Sequence, residues 1–330
     1  MQVTIVSRLK GVKLGDPQSH GNIAIFPIAD GEGESVSYIT LTEALEGRLL
    51  TVTEVSQGGS VPELKVTNSA ETPVLLLDGE ELAGAKQNRV LNTTVLVPEK
   101  QDIVIPVSCT EQGRWAYATQ AFYDSGTVMA RSIRARKNRS VSESLAASAS
   151  FRSDQGEVWN GISELQEAAC APPSPTGAMR DVFESQRESL DEALKAFPLI
   201  PGQIGLLAVI SGEAAGFDIV SRPAAYAHLH GKLLKSYVMD ALVGKKKAGV
   251  DAKAAAKAAQ DFIDRATHCE EKTFKSVGCG DDYRFKGDHI AGSALVHSDT
   301  VIHTAFFHLD QATAEGHMSG INRRRSYRVY

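Results

Sequence analysis

The chain has 330 residues, enough for one large domain or two ordinary ones, and its 42% apolar and 23% charged content excludes extensive disorder and fibrous repeats. With 35 basic against 40 acidic side chains the net charge is -5, which excludes a global attraction to nucleic acid or to an anionic membrane. Its four cysteines, Cys109, Cys170, Cys269 and Cys279, form no CxxC pair, and free thiols fit a reducing compartment.

Residues Met1 to Lys10 alternate polar and apolar side chains without an apolar stretch of signal-peptide length, and no later run approaches the ~18 apolar residues of a membrane span. A cytoplasmic protein with no membrane partner is the expectation. The first third reads as strands rich in Val, Ile, Thr and Leu: Val3 to Val6, Asn22 to Ile28, Val36 to Ile39, Leu49 to Val55, Leu64 to Thr67 and Val74 to Leu77. Two further strands, Arg89 to Val97 and Asp102 to Cys109, flank a short turn at Pro98 to Gln101, which predicts antiparallel pairing.

From Ser125 to about Pro175 Ser, Ala, Arg and Pro dominate, and a basic run of Arg131, Arg134, Arg136, Lys137 and Arg139 precedes a cluster of three prolines. Order is expected to be lowest here. Helices are predicted at Val141 to Ser150, around Val158 to Ala169, and over Thr176 to Ala196. Next come a strand at Ile204 to Ile210, a turn at Ser211 to Glu213, a strand at Phe217 to Val220 and a helix opened by Pro223. On that helix Tyr226, Leu229, Leu233, Tyr237 and Ala241 belong to an apolar stripe, and Lys232, Ser236 and Asp240 align on the opposite face. An Ala-rich helix over Asp251 to Ala266 leads to closing strands at Thr273 to Phe285, Ile290 to His297 and Thr300 to Phe307, with a turn at Gly278 to Gly280.

Helices between groups of strands, without strict βαβ alternation, predict an α+β (mixed α/β) fold. The expected plan is a β-rich N-terminal lobe of mainly antiparallel strands, packed with a helical middle segment and a C-terminal lobe containing a β-β-α unit. It is read as one domain over 1–330, with sub-lobes at 1–124, 125–200 and 201–322 and a basic tail at 323–330. In that tail Arg323, Arg324, Arg325 and Arg328 lie near Tyr327 and Tyr330, a mix that can meet phosphates and stack on bases; a solvated or self-paired tail is the simpler reading.

The densest polar stretch, Asp78 to Asn92, lies between two predicted strands on a connection long enough to be a functional loop. Glu80 and Glu81 can act as a base, Lys86 and Arg89 can meet an anion, and Gln87 and Asn88 can read a polar ligand through paired donors and acceptors. Strand phase puts Val90, Asn92, Thr94 and Leu96 on one face, so a buried Asn92 needs hydrogen-bond partners, either for a ligand or to tie down the preceding loop. A second cluster, Pro106 to Trp115, joins the first if the loop before Arg89 folds toward the Cys109 end of the hairpin. Cys109 shares the phase of Ile103, Ile105 and Val107 and has no base nearby in sequence, so a core thiol is the simpler reading; Glu111, Arg114 and Trp115 beyond the strand are the better contacts for a ligand.

No GxGxxG, GxxxxGK[ST] or GxSxG motif stands in a strand-to-helix context, so no cofactor is named by motif. His228 and His230 lie two apart on a predicted helix and face apart, and the other histidines lack ligand spacing, so no transition-metal site is predicted. A hard cation on Asp78, Glu80 or Glu81 is the stronger metal reading.

The runs Leu77 to Thr93 and Ile105 to Trp115, followed by a third block from Gly205 through Ile219 with Lys232 to Tyr237 and Asp240 to Leu242, resemble the ARG and rhodanese-phosphatase-superfamily-associated protein domain, in which ARG denotes ADP-ribosylglycohydrolase. Two long polar strings in the same order make the resemblance specific. It implies a link to ADP-ribose or phosphate chemistry, and it marks Glu80, Glu81, Lys86, Gln87, Asn88, Arg89, Asn92, Cys109, Glu111, Arg114 and Trp115 as motif positions without assigning roles. Ser132 to Ser153 and the tail match no pattern. The first expectation is a protein that binds or processes a phosphorylated small molecule such as an ADP-ribose or nucleotide derivative. In it Lys86, Arg89 and Arg114 would meet phosphate, Gln87, Asn88 and Asn92 ribose or base, and Glu80, Glu81 or Glu111 would be the general base of an enzyme. The alternative is a non-catalytic module whose polar strings brace the β lobe while its surface recruits a partner enzyme.

Overall fold

The computed structural model describes residues 5–29, 36–244 and 249–310, and the basic tail lies outside them. In chain order the first part forms α1 (Ile5–Gly11), β1 (Lys13–Leu14), β2 (Gln18–His20), β3 (Ile23–Ala29), β4 (Ile39–Thr40), α2 (Leu41–Glu46), β5 (Leu50–Glu54) and β6 (Glu63–Asn68). There follow β7 (Val74–Leu76), β8 (Glu80–Gly84), β9 (Arg89–Leu91), β10 (Val95–Val97), β11 (Asp102–Cys109) and β12 (Phe122–Val128). The middle is helical: α3 (Arg131–Ser148), α4 (Gln155–Ala168), α5 (Met179–Ser185) and α6 (Arg187–Ala196). The last part holds β13 (Gln203–Ile210), β14 (Glu213–Val220), α7 (Pro223–Val243), α8 (Ala252–Ala266), β15 (Glu270–Lys275), β16 (Asp281–Gly287), β17 (Ile290–His297) and β18 (Thr300–His308). The fold is α+β, and its strand pairs are antiparallel apart from β4 with β7.

Three sheets result. The largest runs β1-β3-β13-β14-β18-β17-β16-β15, with β2 also on β3, so residues 13–29 join the C-terminal strands rather than the β-rich lobe. Its middle is covered on both faces, which is why β13 reads as an unbroken apolar run: Leu206 and Ala208 face the core shared with α7, while Leu207 and Val209 face the core shared with α1 and α8. A small sheet runs β10-β7-β4 and a six-stranded sheet β12-β8-β9-β11-β6-β5. The six-stranded sheet curls until its edge strands β12 and β5 lie against each other. Its apolar side, with Val52, Leu64, Leu82, Leu91, Ile105 and Phe122, packs onto the small sheet and α2.

Several elements differ from the sequence expectation. Of the strand expected over Val3 to Val6, residues 3 and 4 lie outside the described residues, and from Ile5 the chain is helical because Ile5 and Leu9, one turn apart, bury together beside α8. The Asp78 to Asn92 stretch is not a loop: it contains β8 and β9 of one hairpin, every residue of it buried. The single strand expected over Arg89 to Val97 is two strands in different sheets, β9 beside β11 and β10 beside β7, so Asn92 is in the crossing and not on a strand face. Thr176 to Ala196 is two helices meeting at Gln186, and β12, assigned to no element from the sequence, runs past Ser125 into the stretch where order is expected to be lowest.

The largest difference is in the basic run. Helix α3 begins at Arg131, ten residues before the expected start, and its Arg134 and Lys137 are fully buried. Arg134 makes two hydrogen bonds to Asp218, at 3.1 and 2.8 Å, and Lys137 meets Asp78 and the carbonyls of Leu91 and Asn92 at 2.8 and 3.1 Å. The polar row of α7 is inside as well: Lys232 contacts Glu80 at 2.7 Å and Asp124 at 2.5 Å, Ser236 donates to the Met129 carbonyl, and Asp240 accepts from Ser132. Burial opposes ionisation of Asp218, yet the Arg134 guanidinium holds its carboxyl well below the ordinary range. Arg134→Ala should strand that carboxylate and lower unfolding free energy by roughly 3–5 kcal/mol, measured by urea titration of both proteins at neutral pH.

Candidate functional site

The ends of β5, β8 and β11 and the start of β9 converge at one end of the curled sheet, since Cys109 pairs with Arg89 and Arg89 with Leu82 across the ladder. Residues directly opposite in an antiparallel ladder project to the same face. Arg89 and Cys109 therefore point to the apolar inside of the curl, and so does Glu54, which continues the phase of Leu50 and Val52 on β5. Polar side chains close this end, where an aliphatic plug would be the plainer solution.

A clasp holds the closure in shape. Glu111 accepts from the Asn88 backbone N–H at 3.1 Å and from Arg114, and Arg114 donates to the carbonyls of Gly84, Ala85 and Ala116 and to Asn88 Oδ1. Burial would raise Glu111, but the bonds from Arg114 and the Asn88 amide hold its carboxyl below the ordinary value. The clasp requires glycine at position 84, where φ is +108° and a Cβ would lie 2.3 Å from Thr119 Oγ1. Lys86 reaches from the β8–β9 turn to the Gly58 carbonyl at 2.7 Å, and its ammonium lies 5.4 Å from the Trp115 ring centre and 5.2 Å from that of Tyr117. Gly59, at φ +77°, presses against the same place: a Cβ there would meet Lys86 Cδ and Trp115 Cζ2 at 3.2 Å and Glu54 Oε2 at 3.3 Å.

Beneath this cover two groups are left without partners. Arg89 is fully buried and donates through Nη1 to Gln87 Oε1 at 3.0 Å and to the Asn88 carbonyl at 3.4 Å, while Nε and Nη2 have no acceptor. Its guanidinium carbon stands 5.5 Å from the Trp115 ring centre. Glu54 accepts the Lys86 backbone N–H at Oε1, at 3.4 Å, and Oε2 has no donor. Among the described residues no ion pair within 4 Å joins Arg89 to a carboxylate. Burial lowers the Arg89 pKa and pushes the Cys109 thiol up, against the pull of Arg89 on the thiol.

The structure thus brings together Lys86, Gln87, Asn88, Arg89, Glu111, Arg114 and Trp115, and places Glu80, Glu81 and Asn92 elsewhere. Glu80 is bound to Lys232 and to the Leu77 amide. Asn92 donates to the Phe151 carbonyl at 3.0 Å and accepts from Ser108 at 2.7 Å. Glu81 pairs with Val90, so it projects to the face opposite Arg89, where Thr110 donates to Oε1 at 2.7 Å and Oε2 is unpartnered. Asp78 and Glu80 are engaged by Lys137 and Lys232, and among the described residues no three His, Cys, Asp or Glu side chains gather as a metal site. Glu54 was not singled out from the sequence, although a charged residue on the buried phase of an otherwise apolar strand is a readable signal.

Burial pushes the Glu81 carboxyl up to about 7, against the hydrogen bond from Thr110. A carboxyl whose pKa is higher folded than unfolded binds more protons in the folded state between the two values, so stability falls as pH rises from about 4.5 toward 7 and then levels off. Glu81→Gln should remove that loss, raising unfolding free energy by up to roughly 3 kcal/mol at pH 8 and by little at pH 4.5. Urea unfolding of the two proteins at both pH values checks the sign.

Comparison with curated proteins and with solved structures gives no match. A family model described as the ARG and Rhodanese-Phosphatase-superfamily-associated Protein domain matches residues 11–307, which include every site residue named above. The chain belongs to that family.

Proposed function

We propose that this is a cytoplasmic protein that binds a phosphorylated small molecule of the ADP-ribose or nucleotide-derivative class at the polar end of the curled sheet. The observation that carries the reading is the unpaired Nε–Nη2 edge of Arg89, buried and aligned beside Trp115. That edge offers two parallel N–H donors, the geometry that two oxygens of a phosphate or carboxylate match in a bidentate contact. Removed from water, a guanidinium edge with no acceptor is costly, and a bound anion removes that cost. Trp115 is 47% exposed, so its ring can take a planar base on one side while its other contacts hold it over Arg89. The family name, which records an association with ARG and the rhodanese-phosphatase superfamily, supports the same reading.

In this reading Arg89 carries the anion contact and Trp115 the ring contact. Arg114, Glu111 and Asn88 are the frame, because their polar atoms are spent on one another and on main-chain carbonyls. Lys86 and Gln87 line the entrance and orient Arg89. A second reading has one specific support: Trp115, Tyr117 and Tyr123 are 47%, 45% and 43% exposed and belong to one segment, a surface on which a partner enzyme can dock.

The chain has two tryptophans, so Trp159→Phe leaves Trp115 as the fluorescent reporter. Titration of that variant with ADP-ribose, its phosphates and adenine nucleotides should quench Trp115 saturably. Arg89→Lys should weaken binding by roughly 10- to 100-fold, the loss expected for a charge-assisted bidentate contact of ~1.5–3 kcal/mol. Saturation at unchanged affinity in Arg89→Lys would remove Arg89 from the site, and no response to any compound would favour the docking surface.

A further inference from the structure

We infer that Glu54 reads a hydroxyl of the bound molecule, so that the ligand is a sugar phosphate whose phosphate lies on Arg89 and whose ring hydroxyl donates to Glu54 Oε2. The inference rests on the Arg89 reading and adds to it the chemical class of the second contact. Glu54 is 8% exposed and continues a strand phase otherwise filled by Leu50 and Val52. The residues paired beyond it, Leu64 and then Ile105, are apolar. Burying a carboxylate in such a row is unfavourable unless something donates to it.

The protein itself donates little. Oε1 takes one long bond from the Lys86 backbone N–H, at 3.4 Å, and Oε2 takes none. The Lys86 ammonium is directed to the Gly58 carbonyl. Arg89 has two free donors, yet it forms no ion pair with Glu54 within 4 Å. A free acceptor and a free two-donor edge that share one enclosed face and do not meet call for a molecule that carries both complements. It needs an anion with two oxygens for Arg89 and a hydroxyl or amine donor for Glu54. A phosphorylated sugar supplies both on one rigid ring, and an acidic side chain accepting from a ribose hydroxyl is an established way of reading such a ring.

Gly59 bears on the same point. It passes over Glu54 Oε2, Trp115 and Lys86 so closely that any side chain there would stand within 3.3 Å of all three. Glycine at this position avoids placing a side chain against the Glu54 oxygen and the Trp115 ring.

The test uses the full chain carrying Trp159→Phe, with and without Glu54→Gln, titrated with adenosine 5′-monophosphate and with its 2′-deoxy, 3′-deoxy and 2′,3′-dideoxy forms. The parent should bind the ribonucleotide about 10- to 100-fold more tightly than the dideoxy form, the range for one hydrogen bond to a charged acceptor. Glu54→Gln should bring that ratio close to one, and the single deoxy form that loses as much as the dideoxy form identifies the hydroxyl. Because each ratio is taken within one protein, a change in the folded fraction does not move it. Equal affinity for all four nucleotides, or an undiminished ratio in Glu54→Gln, overturns the Glu54 inference while leaving phosphate binding at Arg89 intact. Absence of saturable binding to any of them, and to ADP-ribose, overturns both.

Discussion

Two cations on one face of one helix, Arg134 and Lys137, are buried with no solvent around them, and the arrangement of the sheets follows from what neutralises them. Arg134 is paired to Asp218 on β14, in the middle of the large sheet, and lies 3.6 Å from Asp78 in the turn between β7 and β8. Lys137 takes the other oxygen of Asp78. Asp78 is thus shared between two cations, and α3 fastens the large sheet to both smaller ones. Further donors complete Asp218: the Tyr237 hydroxyl at 2.7 Å and His303 Nε2 at 3.1 Å, whose other nitrogen lies 2.7 Å from Thr94 Oγ1. Removing any one partner leaves a charge in a medium that cannot solvate it, so these contacts hold together as a set.

That set explains the shape of the polar end of the curled sheet. Lys137 binds the carbonyls of Leu91 and Asn92, the last residue of β9 and the first of the crossing, and so satisfies main-chain acceptors that the ladder abandons there. The chain can then leave one sheet and enter another after only three residues of β9. Arg89 is the first of those three, which fixes it at the rim of the apolar interior, opposite Cys109. Glu81, one residue out of phase with Arg89 across the ladder, falls on the other side of the sheet, so the two cannot act on one small ligand.

Much of this plan is legible in the sequence where one period dominates. β5, β6, β11, β13, β17, β18, α7 and α8 follow from alternation, continuous apolar runs or an i, i+3, i+4 stripe, and the antiparallel pairing of the strand from Arg89 with the strand ending at Cys109 follows from the short turn at Pro98 to Gln101. Sequence reasoning is misled where charged residues are core residues. Arg131 to Arg139 looks like a solvated segment because nothing local announces that Asp78 and Asp218, about 60 and 80 residues away, will neutralise Arg134 and Lys137. The polar string from Asp78 to Asn92 looks like a loop for the same reason. Periodicity reads hydrophobic burial, and it has no means of seeing burial bought by ion pairs. Glu54 is the intermediate case, visible as an irregularity in an apolar phase but meaningful only beside Arg89.

A purely structural role for the polar strings would leave their groups satisfied by one another, and most of them are. Arg114, Glu111, Asn88 and Thr119 form a closed set in which nearly every donor and acceptor is used. Inside that frame the Nε–Nη2 edge of Arg89 and the Oε2 atom of Glu54 are left without partners, while Glu81 Oε2 is a further unpartnered atom on the opposite face. The framework uses many hydrogen bonds to hold rigid a pair that is itself unsaturated. The desolvation of that pair is met on folding, supported by the surrounding clasp and by the ion pairs of α3. A ligand then finds donors and acceptor already ordered, and little entropy is lost in arranging them. A frame built to be complete without a guest would have closed a hydrogen bond between Arg89 and Glu54, and none is formed.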